Sequence, residues 1–355
     1  MYNHVGGLAQ DETSARAACI LERQTGRVLF ASDMHRRLPM ASTTKVMTAL
    51  LAIEHGGLQD GVTCSENAFG VSGTSIYLQQ GETLTLEEML LGLMLSSGND
   101  AAVAIAEHIG GTTAQFVAMM NARAREIGAV NTHFANPHGL PDDAHYTTAY
   151  DLALIAREAM GNGVFRRLVS TQRASIPWQG RTYNRQLTNK NRLLSTYGGA
   201  TGVKTGFTSK AGRCLVFGAQ QDGLELIGVV LGCPDWFDEA ERLMDSCYET
   251  YTMARVLAPT ISAGRMRVQG GRSDSVGMCV METLSVPLAE GESAQIVLDV
   301  PDGVSAPVYP GMHLGTATLV VGGEVYGSAE VVASERVDSR RIALDVRRVM
   351  ARWPM

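Results

Sequence analysis

The chain has 355 residues, 45% hydrophobic and 19% charged, which is ample for two folded domains of ordinary composition. A net charge of −6 argues against the basic surface that nucleic-acid phosphates select, so no nucleic-acid partner is expected. No apolar run is long enough to span a bilayer. The N-terminal stretch also lacks the apolar core of a signal peptide, which fits a cytosolic protein or an exported one with its leader removed.

Residues 17–31 (AACILERQTGRVLFA) read as an antiparallel hairpin turning at Gln24-Thr25-Gly26. Pro39 and Met40 lead into a helix through ASTTKVMTALLAIEHGG, with positions 46, 47, 50, 51 and 53 on one buried face and a stop at Gly56-Gly57. A second apolar helix covers 85–95, with Thr85 as N-cap and Glu87 and Glu88 in its first turn. Helices follow over Asp100 to Ile109, Thr113 to Ile127 and Thr148 to Met160. Arg213 to Ala219 and Leu224 to Gly232 form a buried hairpin around Gln221-Asp222-Gly223, and 237–255 returns to helix. At Ala258-Pro259-Thr260 the composition shifts. Short alternating runs take over, including Met266-Arg267-Val268, Ala294 to Val300 and Thr316 to Val321, as in a small β-sandwich-like domain. The expected organisation is a catalytic domain over 1–258, a β domain over 262–338 and a tail over 339–355. In the tail, Ile342, Val346, Val349, Met350 and Trp353 alternate with arginines. This gives a basic amphipathic helix for an anionic membrane surface or for the protein's own surface.

Cys19, Cys64, Cys214, Cys233, Cys247 and Cys279 form no C-x-x-C pair, and the histidines form no H-E-x-x-H, so neither a metal nor another cofactor is expected. His35, His55, His133, His138 and His145 read as surface or packing residues. Cys214, Cys233 and Cys247 read as buried thiols, with one disulfide left open.

Only four of the 30 basic residues are lysine: Lys45, Lys190, Lys204 and Lys210. Arginine serves surface solvation equally well, whereas an amine is needed where a cation must lose its proton or act as a compact charge. Ser42-Thr43-Thr44-Lys45 puts a hydroxyl and an amine three apart at a helix start, within reach of one another. Serine near neutral pH needs a neighbouring base, and lysine can be that base once burial or a second cation lowers its pKa. Such a tetrapeptide arises by chance about once in a chain of this length. Two further triplets change that balance. Ser97-Gly98-Asn99 offers a second hydroxyl and an amide that both donates and accepts. Lys204-Thr205-Gly206 offers a fixed cation, a hydroxyl, and a glycine that lets a substrate backbone approach an edge strand.

STTK, SGN and KTG resemble the three active-site motifs of penicillin-binding proteins and serine β-lactamases. SIYLQQGETLTLEEMLLGLMLSSGNDAA (75–102), THFANPHGLPDDAHYTTAYDLALIAREAM (132–160) and GVKTGFTSKAGRCLV (202–216) narrow this to the low-molecular-mass D-alanyl-D-alanine carboxypeptidases of peptidase family S11. APVYPGMHLGTATL (306–319) extends the likeness more weakly, and GVKTGFTSKAGRCLV and TNKNRLL are similar to Gram-positive and sporulation-associated members. The resemblance implies an α+β fold: a five-stranded antiparallel sheet with helices on both faces and a helical subdomain, followed here by the small all-β domain. It implies that Ser42 is the nucleophile, Lys45 its general base, Ser97 a proton relay to the leaving D-alanine, and Asn99 a holder of the substrate amide. Lys204 supplies positive potential and keeps Lys45 neutral, Thr205 binds the terminal carboxylate beside Gly206, and the backbone N–H groups of Ser42 and Phe207 form the oxyanion hole. The implied partners are the peptidoglycan stem peptide and β-lactam antibiotics, which places the protein outside the cytoplasm, secreted or membrane-associated at the cell wall.

Enteric members carry histidine where this chain has Phe207, and an arginine in the loop where Cys233-Pro234-Asp235-Trp236-Phe237 has none. Lys210 and Arg213 are the candidates for a second carboxylate partner. A D,D-endopeptidase or transpeptidase would use the same residues. A class A β-lactamase would add an E-x-x-L-N segment that is absent from this sequence, and a wall-binding module would not need the full side-chain set. A nucleotide-binding reading of GATGVKTG fails because a phosphate loop needs glycine and lysine adjacent.

Overall fold

A computed structural model describes residues 12–340. The expected tail helix lies outside the described residues, apart from its first position or two. The chain divides between Tyr251 and Thr252 into two units.

The first unit is built in chain order from β1 (Ala17–Glu22), β2 (Val28–Ser32), a 3-10 turn (Ala41–Thr44), α1 (Lys45–His55), β3 (Gly61–Thr63), β4 (Thr83–Thr85), α2 (Leu86–Leu95), α3 (Asn99–Gly110), α4 (Thr113–Ile127), α5 (Ala149–Ala159) and α6 (Gly163–Ser170). It continues through β5 (Arg173–Ile176), β6 (Arg185–Thr188), α7 (Leu193–Thr196), β7 (Ala200–Thr208), β8 (Gly212–Gln221), β9 (Leu224–Leu231) and α8 (Trp236–Thr250). One antiparallel sheet has the order β2-β1-β9-β8-β7, which leaves β7 at an edge. Every residue of β1 and β9 is buried, so both faces of the sheet centre are covered. α5 packs along β1 and β9, α6 along β7, and α8 against β8, β9 and β2.

α1 departs from the one-faced helix read from periodicity. Lys45 through Ala52 are all buried, including the polar Lys45 and Thr48, while Ile53 is half-buried. Helices α2, α3, α4 and α5 pack around it, as befits a helix whose first two turns have no solvent face, while Glu54 and His55 at its end are exposed. Thr85 caps α2 through a full capping box with Glu88.

The helix expected over 237–255 stops at Thr250, and 251–257 is strand. Tyr251, Thr252, Val256 and Leu257 favour extended backbone once α8 has ended. The second unit is all-β: β10 (Tyr251–Leu257), β11 (Gly264–Gln269), β12 (Ser275–Val280), β13 (Leu284–Ala289), β14 (Ala294–Asp299), β15 (Gly303–Ser305), β16 (His313–Val321) and β17 (Glu324–Ala333). A six-stranded sheet ordered β14-β16-β17-β12-β11-β15 accompanies the β10-β13 pair, around a separate core that includes Val276, Val286, Leu319 and Val331. All six cysteines are free, so the disulfide left open by the sequence is not formed.

Candidate active site

The nucleophile candidate sits on a constrained turn. Ala41 has φ 49°, left-handed backbone that costs an L-residue of order 1 kcal/mol, and Ser42 follows inside the 3-10 turn that feeds α1. Two glycines press against this turn. A Cβ on Gly139, itself at φ 93°, would lie 1.9 Å from the Ala41 carbonyl oxygen, and a Cβ on Gly206 would lie 2.8 Å from Ser42 N and 3.0 Å from Thr43 N. The K-T-G glycine was expected to admit a substrate backbone. It also admits the protein's own backbone, and so brings edge strand β7 into contact with the nucleophile turn.

Lys45 is fully buried, while Ser42 is partly open. The Lys45 Nζ lies 3.0 Å from Ser42 Oγ, 2.7 Å from Asn99 Oδ1 and 2.6 Å from the His138 carbonyl oxygen. An ammonium could donate to all three. A neutral amine would give its two hydrogens to the two carbonyl-type oxygens, which can only accept, and would turn its lone pair to the Ser42 hydroxyl. Charge decides between these states. Burial foremost, then the nearby cations Lys204 and Lys190, hold Lys45 well below the ordinary lysine range, against an opposing pull from Asp100. Burial and the neighbouring cations thus shift the balance toward the neutral amine, the form that can face the hydroxyl as a base.

Asn99 opens α3 and is bonded at both ends of its amide. Oδ1 accepts from Lys45, and Nδ2 donates to the Ser72 carbonyl at 2.7 Å, leaving one amide hydrogen uncommitted by these bonds. Ser97, two residues earlier, is buried with left-handed φ 65°. It makes no side-chain hydrogen bond to Ser42 or Lys45 among the described residues, so the structure joins Asn99 to the pair directly and Ser97 only through its neighbours. Asp100 accepts from Ser75 Oγ at 2.5 Å and from the backbone N–H groups of Ile76 and Leu78 at 3.1 Å, fixing the 75–78 segment.

On β7, Gly206 lies against the nucleophile turn, and strand alternation puts Lys204 on the same face. Lys204 is buried, and burial together with Lys190 brings its amine down to about 7; its Nζ donates to the Thr205 carbonyl at 2.9 Å. Thr205 is buried, whereas Phe207 is 63% exposed. The two guesses for a second carboxylate partner are engaged elsewhere: Lys210 pairs with Asp143, and Arg213 donates to the Pro234 carbonyl.

Sequence reasoning missed two contributors. His138 acts through its backbone oxygen. Asn136 shapes its loop by accepting from the N–H groups of His138 and Gly139 and donating to the Leu140 carbonyl, and Thr48 donates to the Pro137 carbonyl. Nothing in a side-chain pattern announces a carbonyl, although the 132–160 stretch had been singled out for its likeness. Lys190 is an exposed cation just after β6, with its N–H on the Leu95 carbonyl at 3.3 Å and no ion pair among the described residues. The scarcity of lysine was its signal.

His145, read as a surface or packing residue, is buried behind the nucleophile turn. The Thr44 hydroxyl donates its one hydrogen to the Ala41 carbonyl at 2.8 Å, so it must accept from His145 Nε2–H at 2.7 Å; Nδ1 then accepts from the Ala135 N–H at 3.0 Å. Both ring nitrogens are satisfied only in the neutral form, and burial lowers the pKa to about 4.

The family described as D-alanyl-D-alanine carboxypeptidase, peptidase family S11, matches residues 5–235. The chain is 33% identical over 350 residues to the D-alanyl-D-alanine carboxypeptidase DacF of Bacillus subtilis, covering 96% of this chain and 90% of that one. Among solved structures it resembles a peptidoglycan synthesis regulatory factor from Streptococcus pneumoniae, with TM-score 0.80, 25% identity and coverage of 92% and 100%. It also resembles penicillin binding protein 5 from Haemophilus influenzae, with TM-score 0.76, 26% identity and coverage of 94% and 100%.

Proposed function

The chain belongs to the D-alanyl-D-alanine carboxypeptidase family, and from that premise we propose how its residues divide the work. The enzyme is a serine hydrolase that removes the terminal D-alanine from peptidoglycan pentapeptide stems, a substrate found outside the cytoplasmic membrane. In our reading, Ser42 Oγ attacks the carbonyl of the penultimate D-alanine while its proton passes to Lys45 Nζ. The oxyanion is held by the N–H groups of Ser42 and Phe207. The closeness of Gly206 to Ser42 N supports this pairing, because it puts the strand residue before Phe207 beside the first donor. Each such fixed donor stabilises the tetrahedral intermediate by about 3 kcal/mol. Collapse breaks the C–N bond as the proton held by Lys45 returns through the Ser97 hydroxyl to the departing D-alanine nitrogen, and Lys45, neutral again, takes a proton from the water that hydrolyses the acyl-enzyme. The remaining Asn99 amide hydrogen can receive a substrate carbonyl. A β-lactam acylates the same serine but keeps its leaving group tethered.

The observation that carries this reading is the three-way setting of the buried Lys45 amine, which puts its nitrogen 3.0 Å from a partly open hydroxyl. The test is labelling with a fluorescent penicillin, paired with D-alanine release from a pentapeptide. The expected result is a stable adduct on Ser42 that Ser42→Ala removes, together with D-alanine release. Rapid penicillin turnover would point to a β-lactamase, and label without D-alanine release to a transpeptidase or binding role.

We assign the substrate's terminal carboxylate to Thr205 and Lys190. Lys190 is the exposed amine whose field reaches both Lys45 and Lys204. Removing a like charge makes the Lys45 ammonium less unfavourable and raises its pKa. Lys190→Ala should therefore move the acidic limb of the penicillin acylation profile to higher pH. An unmoved limb would remove Lys190 from the site.

A further inference from the structure

Beside the catalytic residues, the 75–78 segment and the β5-β6 hairpin enclose a cleft of about 350 Å³. Tyr77, Trp178 and Tyr183 line it, together with the hydroxyls of Ser75 and Ser96 and the side-chain amides of Asn184 and Gln186. We propose that this cleft is a saccharide subsite, which takes the N-acetylated sugar that carries the stem peptide. This rests on the peptidase reading above and extends it to the substrate's glycan end.

Three observations carry the assignment. The first is Tyr77. It is 68% exposed and sits at φ 60°, a backbone region that bulky L-residues rarely enter. Asp100 holds the N–H groups on both sides of it, at Ile76 and Leu78, and Ser75 Oγ accepts from Tyr77 N at 2.7 Å. The fold thus spends a buried carboxylate on keeping a phenol ring out in solvent, where it gains no packing of its own. Such strain is kept where a ligand uses it.

The second is charge. Arg185 is the cleft's one cation, and it is buried and paired with buried Glu82 at 2.9 Å. Its guanidinium lies 4.9 Å over Trp178, whose ring meets Tyr183 edge-on at 5.8 Å. Arg181 stacks on Trp178 at 5.8 Å from outside the lining, so within the lining itself a charged amino-acid side chain would find no free counter-charge, and a purely apolar one would strand the hydroxyls and amides. Exposed aromatic faces with neutral donors and acceptors suit a ring that is apolar on its C–H face and polar at its rim.

The third is reach. Lys190 N bonds to Leu95 O, close behind Ser97, while Leu187 and Gln186 of the cleft lie three and four residues earlier on β6, a strand that extends about 3.3 Å per residue. The hairpin therefore leads outward from the catalytic end of the cleft, where Ser96 lies. Four stem residues separate the sugar from the scissile bond, at most about 14 Å of extended chain. A stem of that length starting at the catalytic end, beside Ser96, brings its sugar over the part of the cleft lined by Gln186 and Leu187.

The experiment compares a free pentapeptide with the same peptide carrying N-acetylmuramic acid. Binding is measured to the Ser42→Ala protein, and D-alanine release by the active enzyme. The muramyl peptide should bind about tenfold more tightly, with a matching gain in kcat/KM, and Tyr183→Ala or Tyr77→Ala should abolish that preference. Equal affinity for the two ligands would overturn the subsite. So would an equal loss for both ligands in the tyrosine variants, because that reports damage to the fold. If neither substrate releases D-alanine but the binding preference persists, the hydrolytic reading falls and the subsite stands.

Discussion

Lys45→Arg should lose about 10³-fold or more in the rate of penicillin acylation, because a guanidinium cannot take the Ser42 proton near neutral pH. The companion variant Lys45→Met separates two jobs of the amine. Methionine fills similar space but leaves Asn99 Oδ1 and the His138 carbonyl without the donor they now share. An orphaned buried acceptor costs about 1–3 kcal/mol, so Lys45→Met should also lower the urea midpoint. Both variants should be inactive. Substantial acylation by either one would show that the proton leaves Ser42 by another route.

Gly139→Ala should cost about 3 kcal/mol or more in urea denaturation and should sharply slow acylation. The new methyl would enter the Ala41 carbonyl from 1.9 Å away, and both partners are backbone, so neither can step aside by changing rotamer. Whatever moves displaces Ser42, or the loop that offers the His138 oxygen, and about 1 Å of misplacement can cost 10²-fold in rate. Gly70→Ala is the control. It shares left-handed backbone at φ 73° but has nothing within 4 Å of the added carbon, so it should show the conformational cost alone, about 1 kcal/mol. Equal losses in the two variants would mean that contact with the nucleophile turn is unimportant.

The sequence made legible whatever depends on side-chain identity at fixed spacing. Ser42 and Lys45 are one helical turn apart, and their pairing follows from that alone. The capping box at Thr85 and Glu88 and the hairpin turn at Gly26 likewise need only local chemistry. What stayed hidden depends on the path of the backbone. The His138 carbonyl is common to every residue type, and its importance comes from a loop folded against a turn about 100 residues earlier in the chain. Gly206 is legible as a place of close approach, but only the packing of β7 against the 3-10 turn reveals that Ser42 and Thr43 of the protein itself lie so near it. Helix α8 was overrun into β10 because apolar and polar residues at 251–255 satisfy a helical period as well as an extended one, and strand pairing with β13 decides between them.

The unpaired cysteines carry a practical consequence. Cys19, Cys64, Cys214, Cys233 and Cys247 are sealed inside the folded first unit, and Cys279 alone is partly open. No covalent bridge has to be made for the chain to reach its native state or kept for it to stay there, so oxidants and reductants have nothing structural to act on. A thiol reagent meets Cys279 at once and each of the other five only when its surroundings open, so their rates of modification time the breathing of the peptidase core segment by segment.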